Sequence, residues 1–195
     1  MKFKSLYESI TSEVDVPMDI YLEFEDRFIF KEFDKKDFVL KEGQIATYLS
    51  FLNKGLIVSY RTDANGNRHA IQIRWKGSWL SELESIFSKK PTKYNYLAVK
   101  PTEMLFMPLK DYNEISKKYP IFETFFRISL KQSYLGALEQ IYKLHSLSAE
   151  ARYLELIKNV PTLLEDIPHY LIASYLNIQP QSLSRIRKIH KNIGE

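Results

Sequence analysis

The sequence predicts an α+β fold: an N-terminal β jelly-roll barrel, one long dimerisation helix, and a C-terminal helix-turn-helix. Three observations carry that prediction. Short alternating apolar runs punctuated by glycine fill residues 31–109. A single helical stretch over residues 121–145 is apolar on more than one face. Residues 168–194 contain no acidic side chain, while Arg185, Arg187, Lys188 and Lys191 are basic.

Composition narrows the class. The chain has 195 residues, enough for one large domain or two small ones, and a net charge of only +4. The basic character is therefore local rather than global. There is no cysteine, so disulfides, thiolate zinc sites and cysteine-ligated iron–sulfur clusters are excluded. No apolar run approaches membrane-spanning length, and the N-terminus lacks a secretory pattern. The expectation is a cytoplasmic protein with no membrane partner.

Residues 17–30 read as an amphipathic helix. The strands follow: Phe38-Val-Leu, Tyr48-Leu-Ser-Phe-Leu, Leu56-Ile-Val-Ser-Tyr, His69-Ala-Ile-Gln-Ile-Arg-Trp, Tyr96-Leu-Ala-Val and Glu103-Met-Leu-Phe-Met-Pro. Gly43, Gly55, Asn65-Gly66 and Gly77 separate them. Asn65-Gly66 is a hairpin signal, because both residues accept positive φ. Strands at such spacing suggest a sandwich or jelly roll.

Asp111–Lys118 reads as a short helix that Pro120 ends or restarts. In the long helix, Leu135, Leu138, Tyr142 and His145 follow the 3-4-3 spacing of a coiled-coil seam, which decays at Lys131 and Thr124. The surplus apolar face predicts pairing with a second copy through residues 121–145. Ser148 has the look of an N-cap. The stretch 145–148 is then a hinge, and Val160-Pro161 ends the next helix. The expected divisions are 1–119, 120–146 and 147–195.

In the last segment, Leu171, Ile172, Tyr175 and Leu176 form an apolar stripe, and small Ala173 suits a close helix crossing. Asn177 falls at a turn that needs left-handed backbone. Pro180 suits the first turn of a new helix. Leu183, Ile186 and His190 face inward. Gln181, Ser184, Arg185 and Lys188 share the opposite face. Gln pairs bidentately with adenine and Arg with guanine, so double-stranded DNA is the expected partner.

This order of elements resembles the Crp/Fnr family of bacterial transcription regulators over nearly the whole chain. The most specific matches are Phe51-Leu-Asn-Lys-Gly-Leu-Ile-Val, Gly77-Ser-Trp-Leu-Ser-Glu-Leu and Leu183-Ser-Arg-Ile-Arg-Lys. The resemblance implies a cyclic-nucleotide-binding-like barrel and a homodimer whose two recognition helices enter successive major grooves. It further implies that Gln181 and Arg185 contact base edges with Ser184 near them, and that Ser182 and Lys188 hold phosphates. Gln179 occupies the cap position where the family often has Ser or Thr, a weaker cap. RNA polymerase is a further implied partner, with no surface assigned. A full wing after the recognition helix is not expected.

The effector cassette departs from the family. Relatives that bind cyclic nucleotide carry Gly-Glu-Leu and then an Arg-Ser pair. This chain has Ser81-Glu82-Leu83 and Lys93-Tyr94. Ser81 narrows the approach to the backbone, Lys93 is not a bidentate fork, and Tyr94 is far bulkier than Ser. Cyclic AMP bound in the usual manner is not expected; an unknown small-molecule effector, or none, is. No cofactor or metal is expected. His69 is the only histidine of the strand region, which leaves too few ligands for a cupin-like enzyme and only a lone candidate axial ligand for haem. The competing reading is a ligand-binding jelly roll that regulates a protein partner.

Overall fold

A computed structural model describes residues 2–159 and 162–190. Two helices, α1 (Lys4–Thr11) and α2 (Met18–Glu25), precede the strands β1 (Ile29–Phe33), β2 (Phe38–Leu40), β3 (Tyr48–Lys54), β4 (Leu56–Thr62) and β5 (Arg68–Trp75). Then come α3 (Leu83–Ser88), β6 (Asn95–Ala98), β7 (Thr102–Pro108), α4 (Leu109–Lys118) and the long α5 (Ile121–Ser146). The C-terminal part holds α6 (Ala149–Asn159), α7 (Leu163–Asp166), α8 (His169–Tyr175) and α9 (Pro180–Ile189). The helix expected over 17–30 stops at Glu25, because Ile29 and Phe30 pair with Phe106 and Leu105 of β7. β-branched and aromatic residues gain more there than in a helix. Helices α1, α3 and α7 have no counterpart in the sequence reading. The expected helix end at Val160-Pro161, and any wing beyond residue 190, lie outside the described residues.

All strand pairings are antiparallel, in sheets of order β1-β7-β3 and β2-β6-β4-β5. A lone bridge, Phe51 to Trp79, adds to the first. The arrangement is an open sandwich rather than a closed barrel. Alternation along the strands sorts the side chains into layers. Leu52, Ile57, Tyr96, Met104 and Phe106 fill the space between the sheets. On β7, Leu105 and Met107 point the other way, into a layer with Leu6, Ile10, Tyr21, Phe24, Tyr112 and Phe122 from the flanking helices. On β4, Leu56, Val58 and Tyr60 point outward into a third layer with Leu156, Leu171, Ile172, Leu183 and Ile186. Each sheet is thus covered on both faces, and the C-terminal helices are the cover of the four-stranded one. That accounts for the unbroken burial of Leu56–Tyr60.

The hairpin turn between β4 and β5 departs in one detail from its expected form. Gly66 has φ +83°, but Asn65 is not among the residues with positive φ. The Asp63 carboxylate accepts from the N–H of Asn65 and of Asn67, each at 2.9 Å, and this side-chain bonding replaces the second left-handed residue.

The long helix is half covered. Phe122 and Phe125 are buried, whereas Tyr134, Leu135, Leu138, Ile141 and Tyr142 are between 45% and 64% exposed. The expected N-cap is in place: Ser148 Oγ accepts from the N–H of Ala151 at 3.1 Å.

The N-terminal segment is held by Glu25. Its carboxylate accepts from the N–H groups of Lys2 (2.7 Å) and Phe3 (2.9 Å) and from the Tyr21 hydroxyl (2.7 Å). Burial pushes this carboxyl up, but the three donors outweigh it and hold it below its ordinary value of 4.5. A depressed carboxylate stabilises the fold above its unfolded pKa, and the contribution disappears as pH falls through the lower, folded value. Glu25→Gln is therefore expected to flatten the fall of melting temperature below about pH 4.5. An acid limb as steep as that of the unmodified protein would place the acid sensitivity elsewhere.

Candidate nucleic-acid interface and effector cavity

Helix α8 buries Leu171, Ile172 and Ala173. The chain then turns through Asn177 at φ +52°, the left-handed conformation its residue type tolerates. The Ile178 N–H closes the turn on the Ala173 carbonyl at 3.0 Å. Pro180 occupies the first turn of α9, and Gln179 at its N-cap makes no side-chain cap bond. Leu183 and Ile186 anchor α9 inward. His190 reaches Glu150 at the start of α6.

The outward face of α9 carries Gln181, Ser184, Arg185 and Lys188, all exposed, with Ser182 half-buried at its edge. These five expected DNA-binding residues therefore lie within two turns of one helix. Ser184 Oγ donates back to the Pro180 carbonyl at 3.1 Å. Arg185 and Lys188 enter no ion pair among the described residues. Their charge is available to a ligand.

Arg152 of α6 had no role in the sequence reading. Its guanidinium donates to the carbonyls of Leu144 and Leu147 at the end of α5 and to that of Leu176 at the end of α8, the last at 2.9 Å. It joins the expected hinge to the helix-turn-helix, and a basic side chain at two helix C-termini suits their partial negative charge. Nothing in the local pattern distinguishes Arg152 from a solvated helix residue.

The helix-turn-helix is docked on the four-stranded sheet. Ser174 Oγ accepts from the Ala70 N–H (3.0 Å), Arg68 donates to the Tyr170 hydroxyl (3.0 Å), and Lys100 pairs with Asp166 (2.9 Å). Burial raises the Asp166 carboxyl, but the Thr162 hydroxyl and Lys100 more than offset it and hold it below the ordinary range.

A solvent-open cavity of about 540 Å³ lies against the sandwich, lined by residues of both sheets. Its lining is largely apolar, with Phe33, Val39, Leu40, Ile45, Leu80 and Phe106, plus the polar groups of Lys31, Gln44, Ser50, Glu82 and Tyr96. Of the five residues expected at an effector site, only Glu82 lines it. Glu82 is also the N-cap of α3, accepting from the Ser85 N–H at 2.7 Å. Burial pushes its carboxyl above the ordinary range, against the pull of that N–H. Ser81 Oγ accepts from the Ser50 N–H at 3.0 Å, and Leu83 begins α3. Lys93 is exposed and pairs with Glu84 at 3.6 Å. Tyr94 is half-buried with the Arg61 guanidinium 5.5 Å from its ring centroid. Lys31, the cation of the cavity, carried no sequence signal, since a lone Lys in a strand matches no motif.

Residues 30–119 match the family of the cyclic nucleotide-binding domain. No curated protein matches the sequence. Among solved structures, the chain is similar to the c-di-GMP-responsive global regulator CLP of Xanthomonas campestris, at 10% identity and TM-score 0.69, covering 91% of this chain and 93% of that one. It is also similar to FixK2 of Bradyrhizobium japonicum, at 13% identity and TM-score 0.69, covering 86% of each chain. A third similar chain, from Eubacterium rectale ATCC 33656, is assigned to the crp/fnr family of transcriptional regulators. It gives 15% identity and TM-score 0.68, covering 92% of this chain and 86% of that one.

Proposed function

We propose, from a cyclic nucleotide-binding domain over residues 30–119 and the fold of the Crp/Fnr transcription regulators, that the protein is a homodimeric, sequence-specific DNA-binding regulator of transcription. The observation that carries the proposal is the exposed face of α9, where Gln181, Ser184, Arg185 and Lys188 stand together beside a turn of left-handed Asn177. The second copy is supported by the uncovered apolar stripe of α5. Two symmetry-related copies of α9 then read half-sites about one helical turn apart.

The sandwich cavity has the size of a small-molecule site. Lys93 is engaged by Glu84 and Tyr94 lies under Arg61, so the cyclic phosphate has no arginine fork at the family's position. The cavity accordingly takes a ligand other than cyclic AMP held in the usual way, or none.

Salt dependence separates this reading from a module that regulates a protein partner. Each neutralised phosphate contributes about −0.9 to the slope of log affinity against log salt. For a dimer with six to ten such contacts, affinity for duplex DNA is expected to fall roughly 10³-fold or more between 50 and 200 mM salt. No measurable duplex binding at 50 mM would contradict the proposal.

A further inference from the structure

We infer that the β4–β5 hairpin is a second DNA-contacting element, and that the sugar–phosphate strand bordering the major groove lies between it and the turn of the helix-turn-helix. This rests on the DNA-binding reading above. A groove of about 960 Å³ separates the two elements. One wall is the turn Asn177–Pro180 with Ser182, and the other is Asn67, Arg68 and His69 of the hairpin. None of the residues lining the groove is acidic.

The position follows from how a recognition helix docks. It enters the major groove with its N-terminal residues foremost, so the strand at the edge of that groove passes the turn just before the helix. Here the turn faces the hairpin. A phosphate passing Ser182 and the turn meets Arg68 from the other side. Arg68 is held in place there: its guanidinium lies 5.1 Å from the Tyr60 ring centroid and donates to the Tyr170 hydroxyl at 3.0 Å. Arg carries five N–H donors, and among the described residues Arg68 uses one of them, toward Tyr170, which leaves donors for charge-assisted bonds to a phosphate. The acid of the hairpin, Asp63, is turned to its own loop. Its carboxylate accepts from the N–H groups of Asn65 and Asn67 and contacts the His69 imidazole at 2.8 Å. The Arg68 guanidinium and the Ser182 hydroxyl therefore border a groove whose lining carries no carboxylate, and an anionic chain is the occupant that this charge pattern fits. Gln179 makes no cap bond, and the hairpin supplies a backbone contact next to that weak position.

The test uses the absence of cysteine from the chain. Asn67→Cys gives one exposed thiol, to which an iron–EDTA cleavage reagent is tethered. With the labelled protein bound to duplex DNA, strand cleavage is expected at the backbone immediately flanking each half-site. As a companion, Asn67→Lys is expected to steepen the log–log salt slope by about 0.9 per protomer. A clear footprint with no cleavage near the half-sites, and an unchanged slope for Asn67→Lys, would overturn the hairpin contact while leaving the regulator reading intact. No footprint from the unmodified protein would overturn both.

Discussion

Arg185→Ala is expected to lose discrimination at one base pair of each half-site, at a cost of about 1–3 kcal/mol, or roughly 5- to 150-fold in affinity, per half-site. The side chain is exposed on α9 and enters no ion pair among the described residues. Its removal leaves no buried partner unsatisfied, so stability should change by no more than about 0.5 kcal/mol. Lys188 lies on the same face but three residues further along the helix. Lys188→Ala is expected to weaken all sequences alike and to lower the salt slope by about 1 per protomer. Binding of a panel of single-base operator variants separates the two patterns. A loss for Arg185→Ala that is uniform across the panel would make Arg185 a phosphate contact instead.

Leu138→Glu is expected to convert the protein from dimer to monomer. Leu138 is 45% exposed on the single chain, in line with Leu135 and Tyr142 on the uncovered stripe of α5. Burying a leucine contributes about 1.5–3 kcal/mol, and a symmetric pair loses two of them. The substitution also sets two carboxylates near each other in a dry seam. A loss of about 4 kcal/mol or more raises the dissociation constant of the dimer by roughly 10³-fold. The fold should survive, because α5 is anchored by Phe122 and Phe125 more than three turns away. Sedimentation at micromolar concentration reads the outcome, and DNA affinity should fall with it because two half-sites are no longer joined. An unmodified protein that sediments as a monomer, with and without DNA, would remove the dimer from the proposal.

Much of this was legible in the residues. Asn177 and Pro180 marked the turn, and the split between Leu183, Ile186 and the polar face marked the second helix. Glycines and alternation marked the strands from Phe38 to Pro108. The jelly roll itself was legible, although the two sheets remain an open sandwich. What periodicity cannot say is which element covers an apolar face. Leu56-Ile-Val-Ser-Tyr is apolar on both sides of its strand, which signals coverage twice over. Only the folded chain shows that helices from residues 153–186 supply one cover. Short helices escaped for a related reason. Helix α3 has six residues and starts from a Glu82 side-chain cap, too little length for a period. The cassette shows the same limit. Spacing aligned Lys93 with the family's Arg, but its ammonium pairs with Glu84 and Lys93 is not among the residues lining the cavity. Lys31 approaches the cavity from β1, about sixty residues before Lys93 in the chain.

The most direct measurement is selection of bound sequences from random duplex DNA with no effector added. The expected result is a near-palindrome whose half-sites lie about one helical turn apart, lost when Leu138→Glu replaces the unmodified protein. Recovery of unselected sequence alone, at low salt and with a dimer confirmed in the same solution, would contradict the assignment of α9 as a sequence-reading helix.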